Sequence, residues 1–383
     1  MSKPVKVGVL GLGQRGLQHL KALWALQEAG RAEVVGLCDV YEPNLDPDKL
    51  ATFVPGFQAD SAARHTSFDR MLSDTKPDAV YVCIPPGVHN GEVIEAAQKG
   101  IHLFVEKPMS LFLDEAREMD LAISEAGVLS ATGFQRRYEA LSVSARDYLA
   151  DKRMVMVSFV MHGALESHSV KHTQTGEQGG PSDNVWAKSF AWSGSTVVEA
   201  GIHQTDLMRY WCGDIVWTQA AYVPRDPEDV EDGGDNPYAY SVTFGFESGA
   251  LGVLTISRLR KVFRNDGHQS VLWDHGHLGF EGADLVAYSY GGPYPPAERP
   301  SKESLRHVVA SPTAVDSTLE ITRAFVEAVS SGDSALIRSP FGDAMNSLAA
   351  VLAANISHER AGERVVLEAF LNDARYEAYR KKR

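Results

Sequence analysis

Cysteine is scarce in this chain of 383 residues, which carries only three thiols. Cys38, Cys83 and Cys212 lie far apart and lack the paired spacing of a zinc site or a disulfide framework. We therefore expect reduced, mostly buried thiols. Because no basic residue beside Cys38 or Cys83 would activate either thiol, a nucleophilic role is not indicated.

Long apolar runs are also missing, and positive charge is outnumbered. No segment has the roughly 20 apolar residues of a membrane-spanning helix, and residues 1–4 lead directly into a short apolar strand. The 37 basic and 50 acidic residues leave a formal net charge of −13, which opposes binding to nucleic acid or to an anionic membrane. We expect a cytoplasmic protein with neither partner, and a solvated basic end at residues 380–383.

Low-complexity sequence is absent as well, and 44% hydrophobic with 23% charged residues is the composition of a globular protein. The length exceeds that of one ordinary hydrophobic core, so two domains are predicted, at residues 1–134 and 135–383. In the first, short apolar runs alternate with helical patterns, which predicts an α/β domain with a doubly wound parallel sheet. Strands are predicted at 5–10, 34–38, 79–84, 101–105 and 128–131.

A glycine-rich motif occupies the first strand-to-helix turn, where it is typical of dinucleotide binding. Gly11 permits the tight turn, Gly13 lets backbone N–H groups approach a pyrophosphate, and Gly16 lets the helix pack closely on the strand. Asp39 ends the second strand, where a carboxylate can accept hydrogen bonds from an adenosine ribose. The whole turn reads Gly11-Leu12-Gly13-Gln14-Arg15-Gly16.

The acid at position 39 favours NAD over NADP. A carboxylate there repels the 2′-phosphate of NADP, and no arginine follows it in residues 40–43 to offset the repulsion. NADP stays open as an alternative, through Arg15 in the glycine turn or a rotated Asp39.

Lys107 follows the predicted strand 101–105, at the sheet edge where the nicotinamide should lie. Its ammonium can hydrogen-bond a reacting hydroxyl and stabilise developing alkoxide charge, as alcohol oxidation requires. Pro108 restricts the backbone of Lys107 and so helps to aim it. The alternative is a solvated lysine paired with Glu106.

Several motifs together resemble the glucose-fructose oxidoreductase and inositol dehydrogenase family, Gfo/Idh/MocA. They are the three glycines followed by His19, then Ile84-Pro85-Pro86-Gly87-Val88-His89, Glu106-Lys107-Pro108 after Gly100-Ile101-His102, and Gln135-Arg136-Arg137-Tyr138. In that family the lysine that matches Lys107 contacts substrate and cofactor. The resemblance implies cofactor contacts from Gly11, Gly13, Gln14, Arg15, Gly16, Asp39, Pro85, His89, Glu106 and Lys107.

The pattern changes after residue 134, because strand-like runs follow one another with few helices between them. They lie at 155–161, 216–222, 238–246, 250–257 and 277–280. This predicts an α+β domain with an open, largely antiparallel sheet, and the resemblance implies the same arrangement. It also implies a homodimer or homotetramer.

A helix predicted over residues 197–212 places Glu199, His203 and Asp206 on one face, at i, i+4 and i+7. Such a face is either a solvated surface or a general base beside carboxylates that orient it. The segment resembles the family signature DxGxHxxD, with Glu199 in place of its first aspartate. The resemblance gives His203 an acid/base or substrate-binding role and makes Asp206 its supporting carboxylate.

A long polar segment between residues 162 and 192 carries several histidines and two tryptophans, Trp186 and Trp192. Aromatic rings stack on sugar faces, so this segment is expected to carry specificity. His168 and His172 are four residues apart but lack a third ligand, and we predict no bound metal.

Together these features predict an NAD(P)-dependent oxidoreductase. It would transfer hydride between the cofactor and a hydroxyl carbon of a sugar, sugar derivative or cyclic polyol. Lys107 and His203 would act at that hydroxyl, with Arg137, Tyr138, Glu199 and Asp206 binding substrate around them. Two alternatives stay open: a redox-neutral, NAD-dependent enzyme that processes glycosides, and a non-catalytic dinucleotide sensor.

Overall fold

A computed structural model describes residues 3–164, 186–229, 234–259, 262 and 265–382. The first sheet has six strands, β1 (Val5–Leu10), β2 (Ala32–Cys38), β3 (Ala63–His65), β4 (Ala79–Val82), β5 (His102–Val105) and β6 (Ser130–Thr132). All are parallel, in the order β3-β2-β1-β4-β5-β6. Consecutive apolar side chains in β1 and β4 are buried, as expected for a parallel sheet covered on both faces.

Five helices accompany this sheet: α1 (Gln14–Glu28), α2 (Pro47–Phe53), α3 (Phe68–Thr75), α4 (Glu92–Gln98) and α5 (Leu113–Ala126). In α1 the leucines at positions 17, 20 and 23 recur at helical spacing and are buried against the sheet. The chain reverses after α5 through Gly127, which adopts a left-handed conformation. The sequence motifs thus lie on the strand-to-helix connections of a doubly wound sheet, and the predicted fold class is confirmed.

The second sheet has nine strands, β7 (Met154–Ala164), β8 (Ile215–Val223), β9 (Ala239–Phe246), β10 (Leu251–Leu259), β11 (Asp266–Trp273), β12 (Gly276–Glu281), β13 (Asp284–Ser289), β14 (Arg306–Ala310) and β15 (Val365–Val366). Their order is β14-β13-β12-β11-β7-β10-β9-β8-β15. Only β7 and β10 pair in parallel among these described strands. The sheet is therefore largely antiparallel, as predicted.

The remaining helices are α6 (Ala140–Leu149), α7 (Phe190–Ser193), α8 (Thr196–Glu199), α9 (Ile202–Cys212), α10 (Lys302–Leu305), α11 (Ser317–Ser331), α12 (Phe341–Glu359), α13 (Leu367–Asn372) and α14 (Glu377–Arg380). The prediction of one continuous helix over residues 197–212 is wrong. The chain breaks between α8 and α9, where the N–H of Gly201 bonds to the carbonyl oxygen of Thr196 and the N–H of His203 to that of Ala200. An added Cβ at Gly201 would lie 2.6 Å from the carbonyl oxygen of Val197 and 3.0 Å from Ile256. Glycine permits the close approach of α8 to α9 here.

Helix α11 packs on the first sheet although it comes from the last quarter of the chain. Ile321 and Phe325 share a buried cluster with Val7 of β1 and Phe104 of β5. Phe325 meets the rings of Tyr81 and Phe104 at 5.6 and 5.7 Å between centroids. The C-terminal part of the chain therefore covers a face of the N-terminal sheet, and a division at residue 134 stays a prediction.

The described end of the chain returns to the first domain. Lys381 and Lys382 are exposed, as expected of a solvated basic end, but Arg380 is not. Arg380 is buried and donates hydrogen bonds to the carbonyl oxygens of Phe370 and Asp373. Lys382 donates to the carbonyl oxygen of His89 at 2.7 Å. Residue 383 lies outside the described residues. Within the ranges given above, every helix is too short or too polar to cross a membrane.

Candidate active site

The glycine turn between β1 and α1 is tightly packed on one side and leaves the N-terminus of α1 open on the other. Gly11 has φ +86°, and an added Cβ would lie 2.5 Å from the carbonyl oxygen of Cys83, while a Cβ at Gly16 would overlap the carbonyl oxygen of Gly11. A Cβ at Gly13 would meet open space. Among the described residues no side chain caps the first turn of α1, and no acid lies in that turn. An anion can therefore approach the helix N-terminus over Gly13, which fits a dinucleotide.

Asp39 lies just beyond β2, and three donors hold its carboxylate. Oδ2 accepts from the backbone N–H of Leu12 at 2.7 Å and from the Asn44 amide at 3.0 Å, and Oδ1 accepts from the N–H of Tyr41 at 2.9 Å. The Asn44 carbonyl oxygen in turn accepts from Lys49 at 3.0 Å. The acid is thus fixed beside the glycine turn with one acceptor position of Oδ1 left over, as ribose binding requires.

Glu106 is the hub of a buried polar cluster at the end of β5. Its carboxylate accepts from the Arg15 guanidinium at 2.9 and 3.0 Å, from His19 Nε2 at 2.8 Å and from the backbone N–H of Lys107 at 3.1 Å. Burial favours the neutral acid, but Arg15 and His19 outweigh it and hold the pKa of the Glu106 carboxyl well below its ordinary value. Arg15 is thereby turned towards β5, and Glu106 supports the backbone at Lys107.

His19 and Thr322 of this cluster were not among the predicted site residues. Burial lowers the pKa of His19, so the ring is neutral, and its bond to Glu106 assigns the proton to Nε2. Nδ1 then accepts from the Thr322 hydroxyl at 3.1 Å. Thr322 belongs to α11, more than 200 residues after β5, so nothing local in the sequence indicates this contact.

Lys107 meets Glu199 across the junction of the two domains. Its Nζ donates to the Glu199 carbonyl oxygen at 2.8 Å and to Oε1 at 3.3 Å. The carbonyl is available because α8 ends at Glu199, and the N–H of His203 bonds to Ala200 instead. An ammonium has three protons, and among the described residues only Glu199 receives any of them. The third proton of the Lys107 ammonium can donate a hydrogen bond to a substrate oxygen.

His203, in the first turn of α9, is a neutral imidazole close to Lys107. Burial, followed by the positive charges of Lys107 and Arg136, lowers the pKa of His203 well below its ordinary value. Nδ1 is buried and has no hydrogen-bond partner among the described residues. The ring lies edge-on to Phe134, 6.4 Å between centroids. A neutral imidazole beside a fixed ammonium can accept a proton, which suits a general base.

Asp206 supports Arg137 rather than His203, contrary to the prediction. Its carboxylate accepts from Arg137 at 2.6 and 2.8 Å and from the Ser347 hydroxyl at 2.9 Å, and both charged side chains are at least 96% buried. Asp343 of α12 accepts a further bond from Arg137 at 2.8 Å. Burial opposes the charged form, but the two carboxylates raise the pKa of Arg137. This ion cluster fastens α9 to α12.

Tyr138, His89 and Pro85 were also predicted to contact substrate or cofactor, and each has different neighbours in the structure. The Tyr138 hydroxyl accepts from the N–H of Arg338 at 2.8 Å, and its ring belongs to the core of the first domain. The polar atoms of Tyr138, Arg137 and Asp206 already hydrogen-bond to other groups of the protein. Substrate contact by these three residues stays a prediction. His89 is buried, 3.8 Å from the Glu92 carboxylate, and Pro85 begins the turn after β4.

The polar segment thought to carry specificity is described only at its ends. His162 hydrogen-bonds the Ser257 hydroxyl at 2.8 Å within the second sheet. Trp192, in α7, has 46% of its surface exposed, and the chain at residues 191–192 lies about 4 Å from the position of a Cβ on Gly87. His168 and His172 lie outside the described residues.

Comparisons with known proteins agree with this geometry. A family model described as "Oxidoreductase family, NAD-binding Rossmann fold" matches residues 5–134. A second, described as "GFO/IDH/MocA C-terminal domain", matches residues 162–276, and the two together span more than half of the chain.

Two curated relatives align with most of the chain. A scyllo-inositol 2-dehydrogenase (NAD(+)) of Bacillus subtilis is 28% identical over 267 residues, covering 67% of this chain and 68% of that protein. A myo-inositol 2-dehydrogenase of Thermotoga maritima is 29% identical over 277 residues, covering 72% and 74%. Among solved structures, an oxidoreductase from Agrobacterium radiobacter in complex with NAD+, L-tartaric acid and magnesium has the same fold, with a TM-score of 0.75, 16% identity and coverage of 96% and 99%.

Proposed function

Because the chain belongs to the Gfo/Idh/MocA family of NAD-binding oxidoreductases, we propose that it interconverts a secondary alcohol and a ketone on a sugar, sugar derivative or cyclic polyol. NAD, when bound, takes the hydride. The single observation that carries the proposal is the meeting of Lys107, Glu199 and the neutral His203 at the end of β5. The inositol dehydrogenases that align with most of the chain support the substrate class.

Each of these residues has one part in the proposed reaction. Lys107 donates a hydrogen bond to the reacting oxygen and stabilises its negative charge as the proton leaves. His203 accepts that proton, and the hydride leaves the same carbon, so that the C–OH becomes C=O. The Glu199 carboxylate, 22% exposed beside Lys107, hydrogen-bonds a neighbouring hydroxyl. Arg137 and Asp206 hold α9 in place beneath the site.

NAD is the proposed cofactor, and the position of Arg15 supports this choice. A 2′-phosphate on the ribose would lie against the Asp39 carboxylate, and a cation from the glycine turn could offset the repulsion. Arg15, however, is paired with Glu106 at 2.9 Å. The charge of Asp39 is therefore not compensated by Arg15, which disfavours NADP.

The proposal is tested by incubating purified protein with NAD or NADP and a panel of sugars and cyclitols, following reduced nicotinamide and analysing products chemically. We expect NAD reduction with at least one cyclitol or sugar. Lys107→Met should lower kcat/KM by about 10²–10³-fold, because a charged hydrogen bond to the developing alkoxide is lost. Lys99→Met is the matched control, since Lys99 pairs with Asp69 and Glu95 on the surface.

Three results would contradict the proposal. Undiminished turnover by Lys107→Met would remove this lysine from the chemistry. Altered sugar without net reduced cofactor would indicate the redox-neutral alternative. Binding of NADH without consumption of any panel member would favour a sensor.

A further inference from the structure

Ser195, immediately before α8, has a backbone conformation that L-residues rarely adopt. Its φ is +119° and its ψ is 164°, a region populated almost only by glycine. The residue is fully buried, so solvent does not relieve this conformation. Such a conformation persists only where the surroundings over-determine it, and these conformations cluster at functional sites.

The side chain of Asn355, in α12, hydrogen-bonds both Ser195 and the residue before it. Its carbonyl oxygen accepts from the Ser195 hydroxyl at 2.9 Å, and its amide donates to the carbonyl oxygen of Gly194. The Tyr222 hydroxyl donates to the same Asn355 oxygen at 2.9 Å. One side chain thus bonds both residues that set the entry of the chain into α8.

Ser195 passes this constraint on to the proposed catalytic lysine. Its side chain caps α8 by accepting from the N–H of Val198 at 3.3 Å, and its carbonyl accepts from the N–H of Glu199 at 2.9 Å. Glu199 in turn accepts both hydrogen bonds from Lys107. A continuous series of contacts therefore leads from Asn355 through Ser195 and α8 to Lys107.

We propose that Asn355 is a positioning residue, which holds Ser195 in its unfavourable conformation and thereby sets where Glu199 holds Lys107. This inference rests on the proposed function. We call the hydrogen bonds that Asn355 makes with Ser195 and Gly194 the clamp. If the clamp is removed, Ser195 relaxes to a negative φ and α8 shifts, since the first turn of α8 follows the backbone of Ser195. If glycine replaces Ser195, the conformation is no longer costly and the clamp is dispensable.

The test is a double-mutant cycle on turnover. Asn355→Ala should lower kcat by about 10–100-fold, with a larger primary deuterium isotope effect and little change in the KM for NAD, because misplacement of reacting groups slows the chemical step. Ser195→Gly should keep near-normal kcat, and Ser195→Gly with Asn355→Ala should stay within about threefold of it. Asn346→Ala is the matched control: Asn346, on the same helix, hydrogen-bonds only the backbone of Ile215 among the residues that the structure describes. It should lower stability without lowering kcat.

Amide hydrogen exchange at Val198 and Glu199 tests the clamp without turnover. Asn355→Ala should speed exchange at both amides about tenfold or more. The double variant should restore slow exchange at Glu199, whose acceptor is the backbone carbonyl of residue 195. Equal exchange in all variants, a normal kcat for Asn355→Ala, or a double variant as slow in turnover as Asn355→Ala would overturn the inference. If the wild type turns over no substrate, the proposed function fails, while exchange still decides whether Asn355 holds α8.

Discussion

Among single residues, His203 shows most directly how surroundings set chemistry. An imidazole in water is half protonated near pH 6.5, but this ring is buried beside two cationic side chains. Both effects disfavour the protonated form, so the ring is neutral at neutral pH and can receive a proton, as a weaker base than imidazole in water. The Asp39 carboxylate, in contrast, is kept in place by three donors beside the glycine turn.

The titration of His203 should reveal these surroundings. We expect its NMR titration midpoint to lie below pH 6.5. Lys107→Met should raise that midpoint, because removing a nearby cation favours the protonated ring. The ring signal is assigned with His203→Gln. A midpoint at or above 6.5 in the wild type would contradict the buried position of His203 beside these cations.

Asp39→Ser should weaken the preference for NAD over NADP. The substitution removes the charge that repels a 2′-phosphate and leaves three donors, on Leu12, Tyr41 and Asn44, with Lys49 behind them. The ratio of kcat/KM for NAD to that for NADP should fall about tenfold or more, equivalent to about 1.4 kcal/mol. Adding Lys49→Met should reverse part of the gain for NADP. An unchanged ratio would show that Asp39 does not face the ribose.

Among the elements, the turn from β1 into α1 shows that neighbouring glycines serve different purposes. Gly16 is required by packing, since a side chain would overlap the backbone of Gly11. Gly13 has φ −70° and ψ −170°, which alanine adopts easily, and open space lies beside it. Packing within the protein therefore does not account for glycine at position 13, and we predict that the approach of a pyrophosphate does.

Alanine substitutions separate these two purposes. Gly13→Ala should leave the melting temperature within a few degrees of wild type but weaken NADH binding, because the methyl group occupies the space of the pyrophosphate. Gly16→Ala should lower the melting temperature itself. Thermal unfolding and NADH fluorescence titration measure the two effects. Normal NADH affinity for Gly13→Ala would place the cofactor elsewhere.

Considered as a whole, the molecule is held together by contacts between distant parts of the chain. Helix α11 covers the first sheet, and Thr322 joins the cluster around Glu106. The ion cluster of Arg137, Asp206 and Asp343 joins α9 to α12 behind His203. The site therefore depends on how the two sheets and these helices are assembled.

Phe325→Ala tests whether α11 is an integral part of the first domain. The phenyl ring is 1% exposed and packs on Tyr81 and Phe104, so its loss should cost about 3–5 kcal/mol in the free energy of unfolding. Denaturant unfolding measures this, with Leu121→Ala as a control, since Leu121 is 58% exposed. A loss below about 1 kcal/mol would mean that α11 adds little to the stability of that domain.

The sequence alone determined the elements that depend on neighbouring residues. Apolar runs and helical spacing predicted most strands and helices of the first domain, although the short β3 and helices α2 and α3 were not predicted. The glycine turn and the position of Lys107 after β5 also followed from local order, because a strand end and a tight turn are set within a few residues.

Only the tertiary structure decided how side chains pair across the chain. At the break between α8 and α9, Gly201 packs closely on Val197 and Ile256, a contact that the helical pattern over residues 197–212 does not reveal. Asp206 could pair with His203 or with Arg137, and packing of α9 against α12 selected Arg137. Such choices depend on residues more than 50 positions apart, whose distance in space is set by the fold rather than by sequence spacing.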